Sequence, residues 1–183
     1  IPFGHLEAEF NDFEAQPLLP KSHTKLGPGA AWGDVTGDGV SDLIYSGSKD
    51  TASKVFRSAK AANGGFQLLP HPSEDIASDL APEAMGTLLF DADGDGDQDL
   101  YLASGGVESA IGDASYEDQL FLNDGTGKFT LAIDALPKIA ESSFSVVTAD
   151  YDRDGDLDLA VGGRIVPGKY PTPTNSRVFR NDG

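Results

Sequence analysis

Apolar residues in this chain gather in short stretches bounded by Gly, Asn, Asp and Ser, the pattern of β-strands joined by turns. Three pairs of such stretches each flank an acidic segment: Ala30 to Trp32 with Leu43 to Tyr45, Thr87 to Phe90 with Leu100 to Leu102, and Ser145 to Thr148 with Leu159 to Val161. A third stretch follows each pair, at Lys54 to Arg57, Gln119 to Leu122 and Arg177 to Arg180. These run into hairpin turn chemistry around Asn63-Gly64, Asn123-Asp124-Gly125 and Asn181-Asp182-Gly183. A fourth stretch, Phe66 to Leu69 and Phe129 to Ile133, ends in Leu-Pro in the first unit and just before it in the second. The third unit shows no fourth strand. Helical turns in Ser73 to Met85 and Glu108 to Asp118 are limited by Pro82 and Gly112, so both stretches read as loops.

The acidic segments repeat in one frame. They are Asp34 to Asp42, Asp91 to Asp99 and Asp150 to Asp158, and their first aspartates lie 57 and 59 residues apart in a chain of 183. A three-fold internal repeat of four short antiparallel strands predicts an all-β fold built from β-propeller blades. The predicted units are residues 28–72, 86–137 and 144–183, the last without its final strand. Residues 1–27 form an N-terminal segment. Leu18-Leu19-Pro20 repeats Leu68-Leu69-Pro70, so this segment is expected to be a fourth strand displaced to the front of the chain, closing the ring or completing a neighbouring blade.

Each acidic segment places side-chain oxygens at positions 1, 3, 5 and 9 and a backbone carbonyl at position 7, with Gly at position 6 for the tight reversal. Calcium takes six to eight hard oxygen ligands in a flexible shell, which such a loop largely supplies. Site one would use Asp34, Thr36, Asp38, Asp42 and the carbonyl of Val40. Site two would use Asp91, Asp93, Asp95, Asp99 and the carbonyl of Asp97, and site three Asp150, Asp152, Asp154, Asp158 and the carbonyl of Asp156. An EF-hand needs an acidic residue at position 12 and a helix after it, but here that position holds Tyr45, Leu102 and Val161 inside apparent strands. Magnesium keeps its waters and seldom uses four carboxylates of one loop, and zinc recruits His or Cys. The competing reading is that Asp-Gly runs are merely solvated turns. Three copies in one frame with Gly fixed at position 6 argue against it.

Composition narrows the rest. The chain has no cysteine, which removes disulfides and thiolate chemistry, and its formal charge of −17 repels nucleic acid and anionic membrane surfaces. No apolar run approaches a bilayer span, and the basic-then-apolar pattern of a signal peptide is missing from the start. Up to three calcium ions would reduce the charge to −11, so metal binding and folding are expected to be coupled. The ends, Ile1 and a turn sequence, read as those of a fragment or a processed chain.

The loops and the strands after them (Asp42-Leu-Ile-Tyr-Ser-Gly47, Asp99-Leu-Tyr-Leu-Ala-Ser-Gly-Gly106, Asp158-Leu-Ala-Val-Gly-Gly163) resemble the FG-GAP or VCBS repeats of integrin-alpha-like β-propellers. Leu18-Leu-Pro-Lys-Ser-His-Thr-Lys-Leu-Gly-Pro-Gly29 and Gly162-Gly-Arg-Ile-Val-Pro-Gly-Lys-Tyr-Pro-Thr-Pro173 are similar to the ASPIC/UnbV-associated group. The resemblance implies an extracellular, periplasmic or cell-surface propeller with structural calcium, usually of about seven blades. Three blades do not close a ring, so the remainder of a longer propeller or a homodimer of three plus three blades is expected.

Three roles follow. The first is a calcium-stiffened module for protein or glycan binding, its contact loops Ala103 to Asp118 and Arg164 to Asn175 offering Tyr116, Tyr170 and Arg164. The second is the scaffold of a carbohydrate-active enzyme such as a polysaccharide lyase. It finds no Gly-x-Ser-x-Gly, no His-Glu-x-x-His and no phosphate loop, while His5, His23 and His71 are scattered. The third is a spacer inside a larger protein. The first, non-catalytic role fits best. Thr36 leaves site one with three ligating carboxylates, so its calcium affinity is expected to be the weakest of the three; equal affinities in a site-resolved titration would contradict this.

Overall fold

The computed structural model describes residues 9–24, 26–48, 51–76 and 83–183, with the backbone alone for 72–75. Among these described residues, eleven strands form three antiparallel sheets. In blade 1, β1 (Ala30–Gly33), β2 (Asp42–Tyr45), β3 (Ser53–Lys60) and β4 (Phe66–Ile76) pair in sequence order, and in blade 2 so do β5 (Ala84–Phe90), β6 (Asp99–Ser104), β7 (Gln119–Asn123) and β8 (Phe129–Leu131). Blade 3 holds β9 (Ser142–Ala149), β10 (Asp158–Ile165) and β11 (Arg177–Phe179). The sheets pack as propeller-like blades that do not close into a ring.

Why β6 reads as an unbroken apolar run is clear from its place. It is buried along its whole length because both faces of the middle sheet are covered. Leu100 and Leu102 join Ile44, Val55, Phe121 and Val35 in a cluster between blades 1 and 2. Tyr101 and Ala103 point the other way, into a cluster with Phe90, Leu120, Leu159 and Val161 between blades 2 and 3. The outer faces of the array stay open: Trp32 and Phe66 are exposed on blade 1, Val147 and Val178 on blade 3. The first strands of neighbouring blades touch closely enough that a Cβ on Gly86 of β5 would stand 2.5 Å from the Phe144 carbonyl of β9.

Two expectations change. Residues 12–15 form α1 (Asp12–Ala15), a single helical turn, and no residue of 9–24 joins a sheet, so Leu18-Leu19-Pro20 does not mark a strand there; residues 1–8 of the expected displaced strand segment lie outside the described residues. Its shape is set by Asp12, which is buried and accepts hydrogen bonds from the Ser22 hydroxyl and from the amides of His23 (3.0 Å) and Thr24 (3.1 Å). These ties fold residues 12–24 into a compact loop, with Leu19 and Phe10 packed on Val107 and Ile165. The other change concerns Ser73 to Met85, expected as a loop. Backbone pairing carries β4 through Pro70 and Pro72 to Ile76, and β5 opens at Ala84; residues 77–82 lie outside the described residues. Proline is tolerated because β4 is an edge strand with no second partner to donate to. Glu108 to Asp118 is a loop as expected, with one 3₁₀ turn at Ala114–Tyr116.

A carboxylate ties the ends of blades 2 and 3 remote from the acidic loops. Asp118 accepts from the Tyr101 hydroxyl (2.7 Å), the Ser104 amide (2.7 Å) and, across the blade boundary, the Ser143 hydroxyl (3.0 Å). Burial pushes the Asp118 carboxyl above its ordinary 3.8, more than these donors lower it. A raised folded pKa means that this group's stabilisation is complete below the unfolded value and is lost as pH rises through the folded one. Asp118→Asn, neutral throughout, should therefore gain stability relative to the natural chain as pH rises from about 3.8 towards neutrality. Urea unfolding of both proteins across that range tests this, and a difference flat in pH would contradict it.

Candidate metal centre

The three acidic loops occupy equivalent hairpins: residues 34–41 join β1 to β2, 91–98 join β5 to β6, and 150–157 join β9 to β10. Each ends on a buried aspartate, Asp42, Asp99 or Asp158, at the first position of the second strand. That carboxylate is held from two sides. Asp99 accepts from the Ala92 amide (2.8 Å) and the Asn123 amide (2.8 Å), and Asp158 from the Tyr151 amide (3.0 Å) and the Asn181 amide (2.9 Å). Asp42 accepts from the Ser58 amide (2.9 Å), but on its loop side the donors are the amide and hydroxyl of Thr36.

The first aspartate closes the turn. In loop 2, Asp91 accepts from the amides of Gly94 (2.8 Å) and Gly96 (3.1 Å); in loop 1, Asp34 accepts from Asp38 (3.2 Å) and Gly39 (2.7 Å). Positions 3 and 5 make two-residue side-chain turns: Asp93 and Asp95 accept from the amides of Asp95 (3.3 Å) and Asp97 (2.9 Å), Asp152 and Asp154 from those of Asp154 (3.3 Å) and Asp156 (3.0 Å). In loop 1 only position 5 does so, Asp38 accepting from Val40 (2.9 Å). Positions 4 and 6 both take left-handed backbone. Gly37, Gly39, Gly94, Gly96 and Gly155 suit that conformation, but position 4 of loop 3 is Arg153 at φ 67°.

Carboxylate oxygens of Asp91, Asp93 and Asp99 all lie within 4.8 Å of one another, and so do those of Asp150, Asp152 and Asp158. Oxygens bound to one calcium at about 2.4 Å sit at most about 4.8 Å apart, so both trios match the reach of one such ion. An all-oxygen, carboxylate-rich set suits a hard divalent cation. Asp95 and Asp154 stand outside these trios, and Asp34, Asp38 and Asp42 form no such group. There Thr36 donates its hydroxyl to Asp42 at 2.9 Å, which occupies the oxygen that a third-position carboxylate would leave to a cation.

Desolvation and crowded negative charge both show in the protonation of the loops. Desolvation, then the carboxylates of Asp95, Asp124, Asp91 and Asp93, hold the half-buried Asp97 above the ordinary aspartate value. Desolvation, then Asp154, does the same for Asp152, and burial raises Asp99 against the pull of its two amide donors.

Residues 91–161 match the family model of the FG-GAP-like repeat. The matched segment begins on the first aspartate of loop 2 and ends inside β10, so it spans both loops whose carboxylates converge. No curated protein matches the chain.

Away from the loops, the contact residues expected from sequence divide. Tyr116 is buried, its hydroxyl hydrogen-bonded to the amide (3.0 Å) and carbonyl (2.8 Å) of Ser109, so it braces its loop and offers no contact surface. Arg164 lies half-buried over the Phe144 ring and donates to the His23 carbonyl (2.8 Å). Burial and this guanidinium hold the His23 imidazole below its ordinary value. Tyr170 is partly exposed, its amide donating to Gln16 (2.9 Å). Residues that sequence reasoning passed over are Asn123 and Asn181, read as turn formers, and Asp118; the Asn-Asp-Gly shared by the second and third units was the available signal for the two asparagines.

Replacing the left-handed Arg153 by Gly, the residue type at this place in the other two acidic loops, relieves backbone strain at some cost in chain entropy. Arg153→Gly should raise stability by up to about 1 kcal/mol, read as a higher urea midpoint at unchanged m-value.

Proposed function

We propose that this chain is a calcium-stiffened propeller module that acts outside the cell, presenting the blade ends opposite its acidic loops to a protein or glycan. The observation that carries the reading is the pair of repeat-related carboxylate trios at Asp91, Asp93, Asp99 and Asp150, Asp152, Asp158 within an FG-GAP-like segment. Calcium would be held by these residues, with Asp95, Asp154 and the carbonyls of Asp97 and Asp156 as further donors, and its chemistry there is charge neutralisation. Loop 1 is a weaker third site, through Asp34, Asp38, Asp42, Thr36 and the carbonyl of Val40.

Several features support the binding role. The repeat-related polar residues serve the loops and the blade contacts rather than a reaction, so the module is read as non-catalytic. At the opposite end of the blades the N-terminal segment meets the loop after β6 through Leu19 on Val107, the end of β10 through His23 on Arg164, and the loop after β10 through Gln16 on Tyr170. Leu19, His23, Arg164 and Tyr170 belong to the two stretches that are similar to the ASPIC/UnbV group, so that sub-assignment belongs to this reading. The extracellular placement follows from calcium, which is scarce inside cells, and from the usual setting of such repeats.

Thermal unfolding and light scattering on one sample, in calcium and then in EDTA, test the reading. Occupancy at about 100-fold above Kd adds about 2.7 kcal/mol per site, so a clear rise in melting temperature is expected, and Asp93→Asn with Asp152→Asn should remove most of it. An unchanged melting temperature would overturn the ion sites. A dimer mass would favour two chains completing one ring, and a monomer mass a longer propeller.

A further inference from the structure

The acidic loops are joined to one another by side chains of the hairpins that follow the third strands. Asn181 donates its amide N–H to Asp158 of its own blade at 2.9 Å, while its side-chain Nδ2 donates to the carbonyl of Ala92 in the preceding blade's loop at 2.8 Å. Ala92 in turn donates its own amide to Asp99 at 2.8 Å. Two residues therefore connect the buried ninth-position carboxylate of loop 2 with that of loop 3. One repeat earlier, Asn123 donates its amide to Asp99 and its Nδ2 to the carbonyl of Val35 (2.9 Å) in loop 1. That link stops short of Asp42, whose loop-side donor is Thr36 instead of Val35.

The same place in blade 1 is Ser58. Its amide meets Asp42 as the asparagine amides meet their aspartates, but its hydroxyl turns back to the Ser41 carbonyl of its own loop. The asparagine turns are also seated tightly: a Cβ on Gly125 would stand 2.5 Å from Asp97, and one on Gly183 would stand 3.3 Å from Asp156. A change in loop shape on ion binding therefore meets the turn directly.

From this geometry we infer that Asn181 is a positioning residue that couples ion binding at loops 2 and 3, so that an ion in either loop raises the affinity of the other. The inference rests on the calcium reading above. Coupling is reciprocal, because an ion that fixes Asp158 fixes the Asn181 backbone, and through Nδ2 the Ala92 segment that positions Asp99. Neither ligand set contains the asparagine, so its removal leaves both sets of carboxylates intact.

The test uses the full chain and follows the amide signals of Gly96 and Gly155 by NMR during calcium titration, one reporter in each loop. Disabling loop 3 with Asp152→Asn and Asp154→Asn should weaken calcium binding at Gly96 by about five-fold or more. In an Asn181→Ser background, which installs the blade 1 residue, the same change should leave Gly96 unaffected, whereas in Asn123→Ser the loss should persist. Equal losses in the natural and Asn181→Ser backgrounds, or none in the natural one, would overturn the coupling while leaving calcium binding in place. No calcium response at either glycine would overturn the ion sites and the coupling with them. Should Asn181→Ser lose its dispersed spectrum, Asn181→Asp, of equal size and without the donor, is read in the same way.

Discussion

Everything in this molecule hangs on a carboxylate buried at the root of each acidic hairpin. Asp42, Asp99 and Asp158 each take the first position of a second strand and are almost fully enclosed. An unpartnered charge there would be costly, and the chain meets it with backbone amides from two directions, one from the loop and one from the end of the third strand. Loop shape, strand register and the approach of the third strand are thereby fixed by one residue per repeat. The outer carboxylates then have a rigid base from which to converge.

The two ends of the blades are built from different physics. At the loop end, like charges are held together by turn hydrogen bonds, and desolvation, with the neighbouring carboxylates behind it, raises the carboxyls of Asp97 and Asp152. At the other end, hydrogen bonds and a cation–ring contact knit segments distant in sequence, with Arg164 over Phe144 and against the His23 carbonyl, and Asp118 between Tyr101 and Ser143.

Much of this was written in local sequence. Strand positions follow from short apolar stretches and turn residues, and the three-fold spacing of Asp-rich segments places the hairpins correctly, because both signals act over a few residues. What escaped depends on distant partners. Residues 12–15 are helical because Asp12 is claimed by Ser22, His23 and Thr24, a tie that no periodicity displays. β4 continues past its prolines because it lies at a sheet edge, a fact of topology rather than propensity. Thr36 looked like one missing carboxylate, whereas its hydroxyl also engages Asp42. Asn123 and Asn181 looked like turn formers, and their second role, towards the neighbouring loop, appears only once the blades are stacked.

The double burial of β6 gives the three blades unequal standing. Blade 2 shares a core with each neighbour, while blades 1 and 3 share one each and leave Trp32, Phe66, Val147 and Val178 uncovered. Such a stack behaves as a nearest-neighbour chain, whose outer members open first and whose centre holds until both flanks have gone. A defect in the middle repeat severs two contacts at once, and the array then parts into pieces too small to bury a core of their own.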